Sequence, residues 1–282
     1  MPLQAFVLVL ISTVMHAAWN FAVRKASGSL AVLWVGKWFA VALCLPAFCY
    51  FPLGADAVAA AWPFIAATGL AHTVYFLMLA KAYEEGEISV VYPLARGTGV
   101  GGTALAAWIL IDEQLTIPGV VGIVTVVLGI ILLGVADFRT PKNRRSLAYA
   151  LCVGVTIAVY SVVDKQGVSH IHPVHYVFSL FLIPAVLLSP YVLLRHRPSV
   201  VRTWRGLKRY ALWAGPGSMA TYLLVLFAMR LGKVSYILAV REFSVVIGAA
   251  LGVLFLGERF GWHKATGIAA IVLGLTLVKL GG

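Results

Sequence analysis

Three basic residues stand inside long apolar runs, where no water solvates a charge: Lys37, Arg96 and Arg241. An ionisable side chain deep in a membrane helix costs roughly 2.5–3.5 kcal/mol on insertion scales, so it persists where it meets a partner or lines a wet cavity. Arginine carries a planar fork of donors that fits a carboxylate or phosphate bidentately. Arg96 shares a helix face with Ser89, Tyr92, Gly99 and Thr103, at steps of three or four residues. Arg241 shares one with Ser244, Gly248 and Gly252, and Lys37 is flanked by Trp34 and Trp38. This pattern points to an anionic or zwitterionic small molecule held by Arg96, Arg241 and Lys37. A structural role fits the same residues: Arg241 or Lys37 neutralising Glu242, Arg96 bonding backbone carbonyls, or snorkelling to an interface.

Glu242 is read as the deep anion of the chain and the candidate for proton coupling; it is equally suited to be the permanent partner of a neighbouring cation. Ser12, His16 and Asn20 recur every four residues beside Trp19, and Thr68, His72 and Tyr75 form a similar face. Each face fits a cavity lining or interhelical hydrogen bonding. Trp19, Tyr75, Tyr92 and Tyr222 are expected to line the apolar part of a substrate, and His72 shares the proton-carrying role with Glu242. Tyr160 and Asp164 lie one turn apart, but Asp164 with Lys165 falls near an expected helix end and reads as solvated.

Other patterns carry no chemistry of their own. The run Gly97 to Gly102 satisfies G-x-G-x-x-G but lacks the strand and βαβ unit that a dinucleotide site needs; its glycines suit close helix packing or a bend. His170, His172 and His175 sit at a helix start beside Pro173 and read as interfacial rather than metal ligands. Glu113 and Glu258 read as caps or loop contacts. Cys44, Cys49 and Cys152 have neither zinc-site nor disulfide spacing. No cofactor, metal or catalytic constellation is expected.

The elements that must position these residues are membrane helices. Of 282 residues, 61% are hydrophobic and 11% charged, against about 25% charged in soluble domains. Ten apolar runs are long enough to span a bilayer: 3–23, 30–51, 62–82, 88–111, 118–136, 147–164, 173–194, 210–230, 234–256 and 262–280. The first reads as a membrane helix rather than a cleaved signal, since a basic n-region is lacking. The stretches 137–146 and 195–209 read as long basic loops.

A shift of 145 residues places Arg96 on Arg241, Glu113 on Glu258, Gly122 on Gly267 and Gly129 on Gly274. The chain thus divides into two five-helix repeats, 1–137 and 146–282. An odd helix number inverts the second repeat, the plan of many secondary transporters. The net charge of +12 sits mostly in short loops, which suits the positive-inside rule and not nucleic-acid binding. Fifteen basic residues fall on one side and four on the other. The basic side is expected to be cytoplasmic, with both termini outside.

At this point the chain resembles the drug/metabolite transporter superfamily, in its EamA-like branch. The resemblance rests on the ten helices in two halves, on His16-Ala17-Ala18-Trp19-Asn20, and on helices ending Ile111-Asp112-Glu113 and Leu256-Gly257-Glu258-Arg259. A glycine-bearing helix follows each, at Gly119–Gly122 and Lys264–Gly267. It implies an all-α integral membrane protein of the cell membrane, in bacteria the inner membrane, that transports small metabolites, often by export. It also implies cytoplasmic termini, against the charge count. The expected partners are the lipid bilayer, a small-molecule substrate and a coupling proton or ion, in a monomer or homodimer. The substrate class read here is an amino acid or another carboxylate- or phosphate-bearing compound. The alternatives are proton-coupled export of organic cations or drugs, anchored by Glu242, and a membrane scaffold subunit without transport.

Overall fold

With no water in the bilayer core, each backbone N–H and C=O must bond within its own segment, and apolar runs of this length therefore become helices. The computed structural model describes residues 1–25, 30–86, 88–134, 144–256 and 261–281. Their helices are α1 (Leu3–Lys25), α2 (Leu30–Tyr50), α3 (Ala55–Glu85), α4 (Ile88–Ile111), α5 (Ile117–Gly134), α6 (Arg144–His170), α7 (Pro173–Arg195), α8 (Arg197–Arg202), α9 (Lys208–Leu231), α10 (Val234–Arg241), α11 (Phe243–Leu256) and α12 (Trp262–Gly281). A π-helical turn, Thr203–Leu207, joins α8 to α9, so that one continuous helix runs from Arg197 to Leu231. Helices α10 and α11 form one broken span. The described residues thus make ten membrane spans. Leu43, Leu105, Ile109, Leu128 and Leu273 face outward, each more than half exposed, as an apolar solvent demands.

Three boundaries differ from the hydropathy reading. The third span begins at Ala55 and the sixth continues to His170. The basic stretch 195–209 is helical rather than a loop, with Pro198 in the first turn of α8, where its missing N–H costs nothing. In each case the helix outlasts the apolar run read from hydropathy. The expected boundary between the repeats falls largely on 135–143, outside the described residues.

Packing between the halves follows a two-fold pattern. Helix α3 packs on α6 as α1 packs on α9; α4 packs on α6 as α1 packs on α10 and α11; α3 packs on α7 as α2 packs on α9. The axis passes between α5 and α12. A Cβ on Gly122 would sit 2.7 Å from the Gly274 carbonyl oxygen, and one on Gly129 would sit 2.8 Å from that of Gly267. Both contacts are reciprocal, at 2.6 and 2.9 Å. Exchanging the halves by the 145-residue shift turns one glycine contact into the other. As the number rises along α5 it falls along α12, so equivalent helices run antiparallel. The repeats are inverted.

Candidate functional site

Arg96 projects from α4 toward the break between α10 and α11, where Glu242 is the single residue outside either helix. Its Nε donates to Glu242 Oε2 at 3.0 Å, and its Nη2 donates to Oε1. Glu242 has no exposed surface and Arg96 almost none. This bidentate pair joins the two halves at the two-fold-related depth.

Arg241, the preceding residue, points elsewhere. Its guanidinium lies over the Tyr222 ring, 5.4 Å from the centroid, and its buried Nη1 has no hydrogen-bond partner among the described residues. The Tyr222 hydroxyl donates to Asp164 Oδ2, and Tyr176 donates to Oδ1 at 2.9 Å. Asp164 is completely buried, which corrects the solvated reading: α6 runs six residues beyond it to His170. Lys165 turns the other way, donating to the carbonyls of Met229 and Gly232.

The aromatic residues close around these charges. His72 Nδ1 lies 2.9 Å from the Thr68 carbonyl oxygen and 3.0 Å from its hydroxyl. The His72 ring stacks on Tyr160 at 4.1 Å, and Tyr75 meets Tyr160 edge-on at 6.0 Å. Tyr75, Tyr92 and Tyr160 all stand within the field of Arg96. His16 lies within reach of both arginines and meets Trp19 edge-on at 5.0 Å. Trp19 Nε1 is buried without a partner among the described residues. Lys37 lies at the margin, its Nζ over the Phe76 and Phe181 rings at 4.0 and 4.5 Å, a cation–π seat. Asn20 is turned away, donating to the His16 carbonyl of its own helix at 2.8 Å.

The structure therefore gathers Arg96, Arg241, Glu242, Tyr222, His72, Tyr75, Tyr92, His16 and Trp19, with Lys37 beside them. Thr68, Tyr160 and Asp164 stand with them, and Tyr176 is the one residue of this group that the sequence reading does not name. The signal for Asp164 was present, an aspartate four residues after a tyrosine in an apolar run, but the early helix limit hid it.

Residues read as structural have structural places. A Cβ on Gly99 would meet Ile157 at 2.8 Å, so the glycine run lets α4 approach α6. Glu113 accepts the N–H groups of Val234 and Ser235 at 2.8 and 3.0 Å, capping α10 from the other half; Glu258 lies outside the described residues. His172 accepts from the Val174 N–H at the start of α7. Burial first, then His175 and Arg230, hold its imidazole below the usual range. A cavity of about 520 Å³ at one end is lined by Met1, Glu113, Lys165, Arg230 and Lys233 among others.

Residues 144–280 match the EamA-like transporter family, and residues 34–127 match the Small Multidrug Resistance protein family. The chain belongs to the drug/metabolite transporter superfamily. Its ten spans make it a multi-pass membrane protein of that transporter superfamily. The spermidine export proteins MdtI of Yersinia enterocolitica, Yersinia pestis and Yersinia pseudotuberculosis are each 34% identical over 58 residues, 21% of this chain and 53% of theirs. The chain thus spans about half the length of the curated relatives it matches. A crystal structure of a protein shares the fold at 20% identity and a TM-score of 0.79, covering 98% of this chain and 97% of that one.

Proposed function

We propose that this transporter moves a small metabolite bearing a carboxylate or phosphate, anionic or zwitterionic as in an amino acid, by alternating access between its inverted halves. Arg241 is the anion receptor. The observation that carries this reading is its buried Nη1, which has no acceptor among the described residues. A guanidinium held out of water without an acceptor is costly, and a substrate carboxylate removes that cost. Arg96, by contrast, is committed to Glu242. Tyr75, Tyr92 and Tyr222 supply flat walls, and Trp19 Nε1 supplies a further donor.

The runner-up is export of an organic cation. It is favoured by the likeness to the MdtI proteins, whose names state spermidine export. The carboxylates available to anchor a cation here are already engaged, Glu242 by Arg96 and Asp164 by two tyrosines.

Ligand-induced thermal stabilisation of the purified protein separates the two, because a ligand that binds only the folded state stabilises it by mass action. L-Serine or L-lactate is expected to raise the melting temperature, and Arg241→Gln is expected to abolish the rise. Stabilisation by spermidine alone, unchanged in Arg241→Gln and lost in Asp164→Asn or Glu242→Gln, would replace this reading with the cation one.

A further inference from the structure

Asp164 and Glu242 are the carboxylates without exposed surface among the described residues. Their surroundings differ. Glu242 has a guanidinium across both oxygens. Asp164 has no ion-pair partner among the described residues; its oxygens take the hydroxyls of Tyr176 and Tyr222. An ionisable residue held inside a membrane by neutral donors is better suited to exchange a proton than one locked in a salt bridge.

The groups facing Asp164 come from every helix packed on α6. Helix α3 brings Thr68, whose hydroxyl stands beside the carboxylate, and His72 bonded to Thr68. Helix α7 brings Tyr176, α9 brings Tyr222, and α10 brings Arg241, whose charge reaches Asp164. Helix α4 brings Arg96, already paired with Glu242. On α6 itself Tyr160 lies one turn back, and Lys165 is directed at backbone carbonyls. Lys37 of α2 acts on His72.

A carboxylate only accepts hydrogen bonds; once protonated, one oxygen becomes a donor. Both Asp164 oxygens now accept, so a proton on one of them turns it into a donor and changes the hydrogen bond of the tyrosine it faces, whose hydroxyl then accepts or rotates elsewhere. Tyr222 is also the residue whose ring underlies Arg241. An ionised Asp164 opposes a substrate anion in the field of Arg241, whereas a neutral one does not. The cavity at the end of the molecule reaches α6 at Lys165 and Gln166, next in the chain to Asp164.

We propose that Asp164 is a proton-binding site that loads together with the substrate anion at Arg241, the two being coupled through Tyr222. This rests on the anion reading of Arg241. Coupling between sites is reciprocal, so the proton tightens anion binding as much as the anion tightens proton binding.

Two measurements on the full-length protein test it. Infrared difference spectra between acid and neutral pH are expected to show a buried carboxyl C=O band. That band is absent in Asp164→Asn, shifted in Tyr222→Phe and unchanged in Glu242→Gln; its survival in a folded Asp164→Asn overturns the proposal. Binding of L-lactate, read by thermal stabilisation, is expected to tighten as pH falls from about 8 to about 5, approaching about tenfold in Kd per pH unit for one linked proton. Lactate keeps its charge over that range. The dependence is expected to vanish in Asp164→Asn and weaken in Tyr222→Phe; wild-type dependence in both variants overturns the coupling. The infrared arm needs no substrate, so it decides Asp164 even if lactate fails to bind and the anion reading falls.

Discussion

Glu242 and its two arginines set the energetics of the site residue by residue. Removing one partner of a buried ion pair leaves an uncompensated charge and costs about 3–5 kcal/mol, whereas removing both is far milder. Arg96→Gln is therefore expected to destabilise the protein by about that amount, read from its melting temperature in detergent, and Arg96→Gln with Glu242→Gln to recover most of the loss. Arg241→Gln is expected to leave stability nearly unchanged or slightly raised, because its Nη1 gives up no partner, while ligand binding is lost. Equal losses in the two single variants would sink this division of labour. The division is invisible in the sequence. The 145-residue shift makes Arg96 and Arg241 equivalents, and the chain sets Glu242 beside Arg241. Neighbours along a helix do not face each other, and the partner of Glu242 came from 146 residues away. The deep cations were legible because charges are rare in apolar runs; their pairing depends on a tertiary approach that no local pattern encodes.

Helices α5 and α12 are held so close that backbone meets backbone at Gly122, Gly129, Gly267 and Gly274. Small residues permit such approach where lipid offers no hydrophobic drive between helices. Gly122→Val is expected to force the pair apart and cost about 1–3 kcal/mol, the usual range for overpacking. Gly101→Ala, whose Cβ would meet only Val127 at 3.9 Å, is expected to be neutral in the same unfolding assay. These glycines were legible as repeat partners because both halves carry them. The break in the ninth span was not, since neither proline nor glycine marks Glu242. Helix α10 depends on a residue of the other half: Glu113→Ala removes the acceptor of two N–H groups in its first turn. Bonds to a charged group are worth about 1.5–3 kcal/mol, so faster amide exchange at Val234 and Ser235 is expected, with the rest of α10 unaffected.

Whole-molecule charge poses the question of which end faces the cytoplasm. The four cations assigned to the sparse side of the inverted repeat are Lys165, Arg230, Lys233 and Lys279. The first three line one cavity with Met1, and Lys279 Nζ donates to the Met1 carbonyl at 2.7 Å. They share one end of the molecule with the chain's first residue. Burial, then Lys279 and Lys233, holds the Met1 amino group below its usual range. Arg195, Arg197, Arg202, Arg205, Lys208 and Arg209 occupy the helical stretch at the other. Cytoplasmic loops hold the excess of Lys and Arg, which directs the α7–α9 connection inward and Met1 outward; the family resemblance implies the reverse. Single cysteines in a variant freed of Cys44, Cys49 and Cys152 decide the matter. Gly206→Cys enters open space and Gln114 is exposed, so neither substitution disturbs packing. A membrane-impermeant maleimide on intact cells is expected to label Gln114→Cys at once and Gly206→Cys only after permeabilisation. The opposite result would place six basic residues outside the cell, and the insertion of this transporter would then follow its family's topology rather than its own charge.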